Sequence, residues 1–222
     1  GNYRIDSTLI KQLQASFPSF SWVGVTDANG IVKASSGDIL LDSDISARPV
    51  FIEGAKGDFI GDVHEALLLS ELLPNPSGEP LRFVDISSPL YDKEGNFKGV
   101  LAAHLNWNWA QERVAMTADT FSDSKRMDVL VLSKDYDVLL GPNELIGESL
   151  EQTMVPISRS SERHWASITW PDKQKYLTGF STSVGYDDYS GLGWTVVVRQ
   201  PVNIAYQNIV QLLLWLAVSG VF

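Results

Sequence analysis

One pattern constrains this chain more than any other: a strand–turn–strand segment that occurs twice and then twice again. The stretch SWVGVTDANGIVKASS (21–36) places Trp22, Val23 and Val25 in a β-rich run, Asp27 to Gly30 in a turn, and Ile31-Val32 at the start of a second strand. FVDISSPLYDKEGNFKGVLAAHL (83–105) repeats the scheme around Glu94-Gly95-Asn96. MDVLVLSKDYDVLLGP (127–142) then matches the first segment. The stretch from Lys175 to Pro201 matches the second, roughly 90 to 110 residues further on. The likeness is of architecture rather than of letters. It predicts an α+β chain of two tandem antiparallel-sheet modules, each with about five strands and helices on one side. A single undivided antiparallel sheet is the alternative.

Helical segments separate the strands. Leu9, Ile10, Leu13 and Phe17 fall at helical spacing over 6–17, with Asp6 or Ser7 able to cap the helix and Pro18 ending it. Pro49 favours the first turn of a short helix that Gly54 or Gly57 would close. PNPSGEP (74–80) reads as a loop, and NWNWAQERVAMTADTF (106–121) as a helix leaving the second hairpin.

The 222 residues suffice for one large domain or two small modules, and 44% hydrophobic content argues against disorder. Seventeen basic residues stand against 27 acidic ones, a net charge of -10 that argues against a nucleic-acid surface. No cysteine is present, which excludes disulfides, thiolate metal sites and a cysteine nucleophile. Gly1, Asn2, Tyr3 and Arg4 show no signal peptide and read as the start of a trimmed piece.

The chain ends on IVQLLLWLAVSGVF (209–222), a run without charge. Its length as a helix is about 20 Å, against the about 30 Å of a bilayer core. A buried terminal helix would show a polar outer face, and only Gln211 and Ser219 interrupt this run. The expectation is the first half of a membrane-spanning helix.

Taken in order and spacing, DISARPVF (44–51), residues 83–105 and GLGWTVVVRQP (191–201) resemble the double Cache sensor ectodomains of bacterial transmembrane receptors: chemoreceptors, histidine kinases and diguanylate cyclases. The resemblance covers nearly the whole chain. It implies two PAS-like modules packed along a long N-terminal helix (1–20, a shortened stalk). The membrane-distal, ligand-binding module would be 21–122, the membrane-proximal module 123–201, and the exit helix with the start of a transmembrane segment 202–222. It further implies an extracytoplasmic location at the inner membrane, a homodimeric receptor, a small-molecule ligand and a separate cytoplasmic output domain. The fragment itself would have no enzymatic activity and would need no cofactor.

The same resemblance places the ligand between the distal sheet and the segment carrying Arg48. The arginine offers a planar fork matched to a carboxylate. Phe51 stands three residues on, on the same face of a helical turn. Asp62, His64, Phe83, Asp85 and His104 fall on or beside strands facing that space. In the amino-acid-sensing branch an upstream Tyr, an adjacent Trp-Tyr and a strand-end Asp join the arginine. Here Ser43, Val50 and Phe51 stand in the aromatic places and His104 in that of the Asp. The ammonium-binding half of the site therefore departs from the pattern, and the expected ligand is a small polar molecule, a carboxylate or amino-acid-like compound.

Two other readings compete. A soluble periplasmic binding protein would fold the apolar tail into its own core. A metal-dependent hydrolase would use Asp62, His64, Asp85 and His104, although no HExxH, GxSxG or phosphate-binding loop occurs. His164, Trp165 and Trp170 are expected in core or surface rather than in a second site. Trp107 and Trp109 are expected as packing or rim. Asp135, Asp137, Asp187 and Asp188 are expected as turn residues.

Overall fold

The computed structural model describes residues 7–65, 69, 72–73, 75, 80–120, 127–160, 165–185, 187 and 189–207. The terminal run 209–222 and His164 lie outside them, as does most of the 74–80 loop. The chain divides into two compact units, Gly1–Ala110 and Gln111–Phe222.

The first unit contains strands β1 (Phe20–Thr26), β2 (Val32–Ser35), β3 (Phe59–Ile60), β4 (His64–Glu65), β5 (Arg82–Tyr91) and β6 (Phe97–Asn106). They form an antiparallel sheet in the order β2-β1-β6-β5-β3, with β4 also paired to β5. The second unit contains β7 (Asp128–Leu132), β8 (Val138–Leu140), β9 (Trp165–Thr169), β10 (Lys175–Thr182) and β11 (Thr195–Pro201), in the order β8-β7-β11-β10-β9. With β3 and β4 taken as one position, the two orders are the same. Helices are α1 (Ser7–Ser16), α2 (Pro49–Gly54), α3 (Asn108–Thr120), α4 (Glu151–Ser160) and the single turn α5 (Val202–Ala205).

One side-chain device makes the hairpins. Asp27 Oδ1 accepts hydrogen bonds from the amides of Asn29 and Ile31, at 2.9 and 3.0 Å. Asp92 Oδ1 does the same for Glu94 and Asn96, Ser133 Oγ for Asp135 and Asp137, and Asp172 Oδ1 for Gln174. A side chain that satisfies turn amides reverses the chain within a few residues. Hydrogen bonds from Lys98 and then Asn96 hold the Asp92 carboxyl well below the usual carboxylate range.

Both faces of the first sheet are covered. Ile10 of α1 packs with Val23, Val25, Ala34 and Ala103 on one face. Ten helical residues are marginal alone in water, so this burial is what holds α1 in place. On the opposite face Val50 of α2 joins Trp22, Val32, Phe83, Val100 and Ala102. In the second unit Met154 of α4 meets Leu130, Leu132, Trp170, Tyr176 and Val197.

Two elements were not legible beforehand. Strand β9 alternates exposed and half-buried residues without a strongly apolar face, and α4 carries Pro156 inside it.

Candidate functional site

A cavity of about 390 Å³ opens in the first unit, on the α2 face of its sheet. Strand register builds its wall. Across β1, β6 and β5, Trp22 lies opposite His104, and His104 opposite Asp85. Residues directly opposite in paired strands share a face, so all three project the same way. Two residues along β5, Phe83 is on that face too, and His64 of β4 lies opposite it. The Gly61 amide donates to the Asp85 carbonyl at 2.8 Å, and the chain then returns to the sheet at His64.

The remaining wall comes from the segment before α2. Pro49 occupies the first helical turn, with its fixed φ suited to that place. Arg48, the N-cap residue, is exposed and lines the cavity. It forms no ion pair among the described residues. Its two possible loop partners are engaged otherwise: Lys33 pairs with Asp42 at 3.5 Å, and Asp44 Oδ1 accepts from the Ser46 amide at 2.8 Å. Hydrogen bonds from Ser46 also hold the Asp44 carboxyl below its ordinary value.

Of the seven residues singled out from the sequence, Arg48, Asp62, His64, Asp85 and His104 line the cavity. Phe51 and Phe83 stand outside its lining. Phe51 is turned onto the core cluster that contains Val50 and Trp22. Phe83 is fully buried and meets the His104 ring edge-on at 5.8 Å, so it fixes the histidine rather than walling the space. Trp107 is 1% exposed and packs against Trp109. The sequence reading missed Trp22 and Glu65. The first is visible only once β1 is paired with β6. The second was legible as the neighbour of His64 in GDVHE. Gly24 leaves room for the Trp22 indole, since a Cβ there would stand 2.3 Å from the ring.

The polar atoms of this wall are poorly satisfied. His104 Nδ1 lies at an ion-pair distance of 2.5 Å from Asp85 Oδ1, yet both atoms are buried and neither makes a hydrogen bond. Asp85 is 5% exposed and His104 8%. His64 Nε2 lies 3.5 Å from the same carboxylate oxygen. An unsatisfied buried polar group costs about 1–3 kcal/mol, and more when charged. The corresponding row of the second sheet is different. Asp128, Arg199 and Thr178 stand opposite one another on β7, β11 and β10. Arg199 Nε donates to Asp128 Oδ2 at 2.8 Å, and the guanidinium lies over the rings of Trp170 and Tyr176, 4.3 and 4.4 Å from their centroids. Trp170 Nε1 donates to Thr178 Oγ1, and the Tyr176 hydroxyl to Asp172. Burial, then the hydrogen bond to Asp172, pushes the tyrosine hydroxyl pKa up. One row is filled by its own side chains. The other leaves donors and acceptors facing a cavity.

No protein-family model and no curated protein matches the sequence significantly. Solved structures do match the fold. The ligand-binding domain of the Pseudomonas aeruginosa amino-acid chemoreceptor PctB, in complex with L-Arg, matches with a TM-score of 0.62 at 17% identity, covering 92% of this chain and 75% of that one. The Campylobacter jejuni chemoreceptor Tlp3 domain in complex with 4-methylisoleucine gives 0.63 at 14% identity, over 89% and 71%. This chain has the fold of those ligand-binding domains. An extracellular ligand-binding receptor from Desulfohalobium retbaense gives 0.62 at 13% identity, where 87% of this chain spans only 32% of that protein. At such identities the likeness is one of fold. Among the described residues no helix of this chain is long and apolar enough to cross a membrane.

Proposed function

We propose that this chain is the extracytoplasmic sensor domain of a bacterial signal-transduction receptor, and that its first unit binds a small carboxylate or amino-acid-like molecule. The observation that carries this reading is the polar wall of the first-unit cavity, where Asp85 Oδ1 and His104 Nδ1 are buried without hydrogen bonds and Arg48 has no ion pair among the described residues. Buried polar groups are ordinarily satisfied, and a native exception calls for a ligand or another stated reason. The cavity also has the size and mixed lining usual for a small-molecule site. Ligand-binding domains of the same fold are described in complex with asparagine, L-leucine and L-Arg.

In this reading the first unit is the membrane-distal module and the second transmits. Each unit is a PAS-like module, and the full receptor is dimeric. The chain continues from α5 into the apolar run 209–222, which enters the inner membrane. A ligand biases the output only by its differential affinity for two states of the domain. The chain performs no catalysis itself; a cytoplasmic kinase, diguanylate cyclase or chemotaxis module would do that.

A thermal-shift screen of amino acids, organic acids, amines and nucleobases tests the proposal. A ligand at 100 times its dissociation constant stabilises by about 2.7 kcal/mol. Arg48→Ala is expected to lose the carboxylate contact, about 1.5–3 kcal/mol or ten- to a hundredfold in affinity. A hit that stabilises Arg48→Ala as much as wild type would remove Arg48 from the site. No hit from any class would count against small-molecule sensing.

A further inference from the structure

We infer that the buried wall of the first-unit cavity is a divalent transition-metal site, with His64 Nε2, Asp85 Oδ1 and His104 Nδ1 as its ligands. The three atoms lie within 4.8 Å of one another. Ligands bound at 2.0–2.1 Å in a tetrahedral site stand about 3.3 Å apart. His64 Nε2 and Asp85 Oδ1, at 3.5 Å, already have that spacing. The separation of 2.5 Å between His104 Nδ1 and Asp85 Oδ1 needs to open by less than about 1 Å, within reach of a carboxylate rotation.

The aim of the histidine favours a cation. His64 Nδ1 lies 3.1 Å from the Asp62 carbonyl oxygen, which can only accept, and this contact directs Nε2 at the Asp85 carboxylate, 3.5 Å away. A histidine held by a backbone carbonyl through one nitrogen and free at the other is also the usual arrangement of a metal-bound imidazole. A proton shared between Asp85 and His104 would leave His64 Nε2, 3.5 Å from the same carboxylate oxygen, unused.

The surroundings agree. Asp62, Glu65 and Asp85 line the cavity against the single guanidinium of Arg48, so the space carries excess negative charge. Two imidazoles with one carboxylate suit Zn²⁺, Co²⁺, Ni²⁺ or Fe²⁺ better than Mg²⁺ or Ca²⁺. Three protein ligands leave at least one coordination position toward the cavity. The site stands whether or not the domain senses a small molecule; if it does, the metal gives a ligand carboxylate a second anchor besides Arg48.

The test uses the whole domain, stripped with a chelator and dialysed, then titrated with Zn²⁺ by calorimetry and with Co²⁺ by visible absorption. The expected result is saturable binding of one ion per chain, with the d–d bands of low-coordinate Co²⁺. His64 is half-exposed and outside the core clusters, so His64→Ala keeps the fold. It is expected to weaken Zn²⁺ by more than the 10- to 100-fold typical of losing an outer-shell partner. Absence of saturable binding, or unchanged affinity in both His64→Ala and His104→Gln, overturns the metal site. The ligand screen repeated in chelator separates the two ideas. Ligand binding without any metal binding overturns the metal and leaves the sensor; metal binding with no ligand hit does the reverse.

Discussion

Asp85→Asn is expected to abolish ligand binding without lowering the unfolding midpoint of the empty domain. The carboxylate is 5% exposed, and its Oδ1 has no hydrogen-bond partner. In the empty state that oxygen is a buried acceptor without a donor, which costs free energy. The isosteric amide keeps the shape and is cheaper to bury than a carboxylate, so stability holds or rises. Binding loses the one buried anion of the wall. Truncating one member of a buried, hydrogen-bonded charge pair costs about 2–5 kcal/mol, which takes a micromolar ligand out of a useful range. Calorimetric titration with a screened ligand, together with a melting curve without ligand, reads both halves. A midpoint that falls by several degrees would make Asp85 a structural residue, and unchanged affinity would place the ligand elsewhere.

Arg199→Met is expected to do the opposite, destabilising the second unit strongly and leaving ligand affinity unchanged. Arg199 is 5% exposed, bound to Asp128, and lies over two aromatic rings. Removing one partner of a buried pair costs about 3–5 kcal/mol, and the lower end applies because Asp128 keeps a third of its side chain in water. For a unit of this size the midpoint falls by about 10 to 20 °C. Arg199→Lys keeps the charge but loses the planar fork, so only partial recovery follows. A loss below about 0.5 kcal/mol, the range of an ordinary surface change, would mean that the cluster contributes little.

These opposite expectations come from corresponding rows in two sheets of the same strand order, and they show what the sequence can and cannot reveal. The hairpins were legible because Asp27, Asp92 and Ser133 each sit at the start of a turn whose amides they satisfy. Helix α2 was legible through Pro49 and Gly54. Arg48, Asp85 and His104 could be placed near one cavity through the family resemblance and through strand spacing. That His104 faces Asp85 and Trp22 could not be read, because register depends on a bulge near Leu90 and another between Phe20 and Trp22. The role of His64 depends on a two-residue strand too short to leave a pattern. Likewise Trp170 and Arg199 are 29 positions apart, and only the β10–β11 pairing joins them.

Chemical-shift mapping tests the central claim most directly. The amide spectrum of the ¹⁵N-labelled domain would be recorded with and without a ligand that passes the screen. Perturbations concentrated at residues 48, 62–65, 85 and 104, with residues 128–132 and 195–201 little moved, are the predicted result. Perturbations centred on the second unit, with residues 48, 85 and 104 unshifted, would contradict the account.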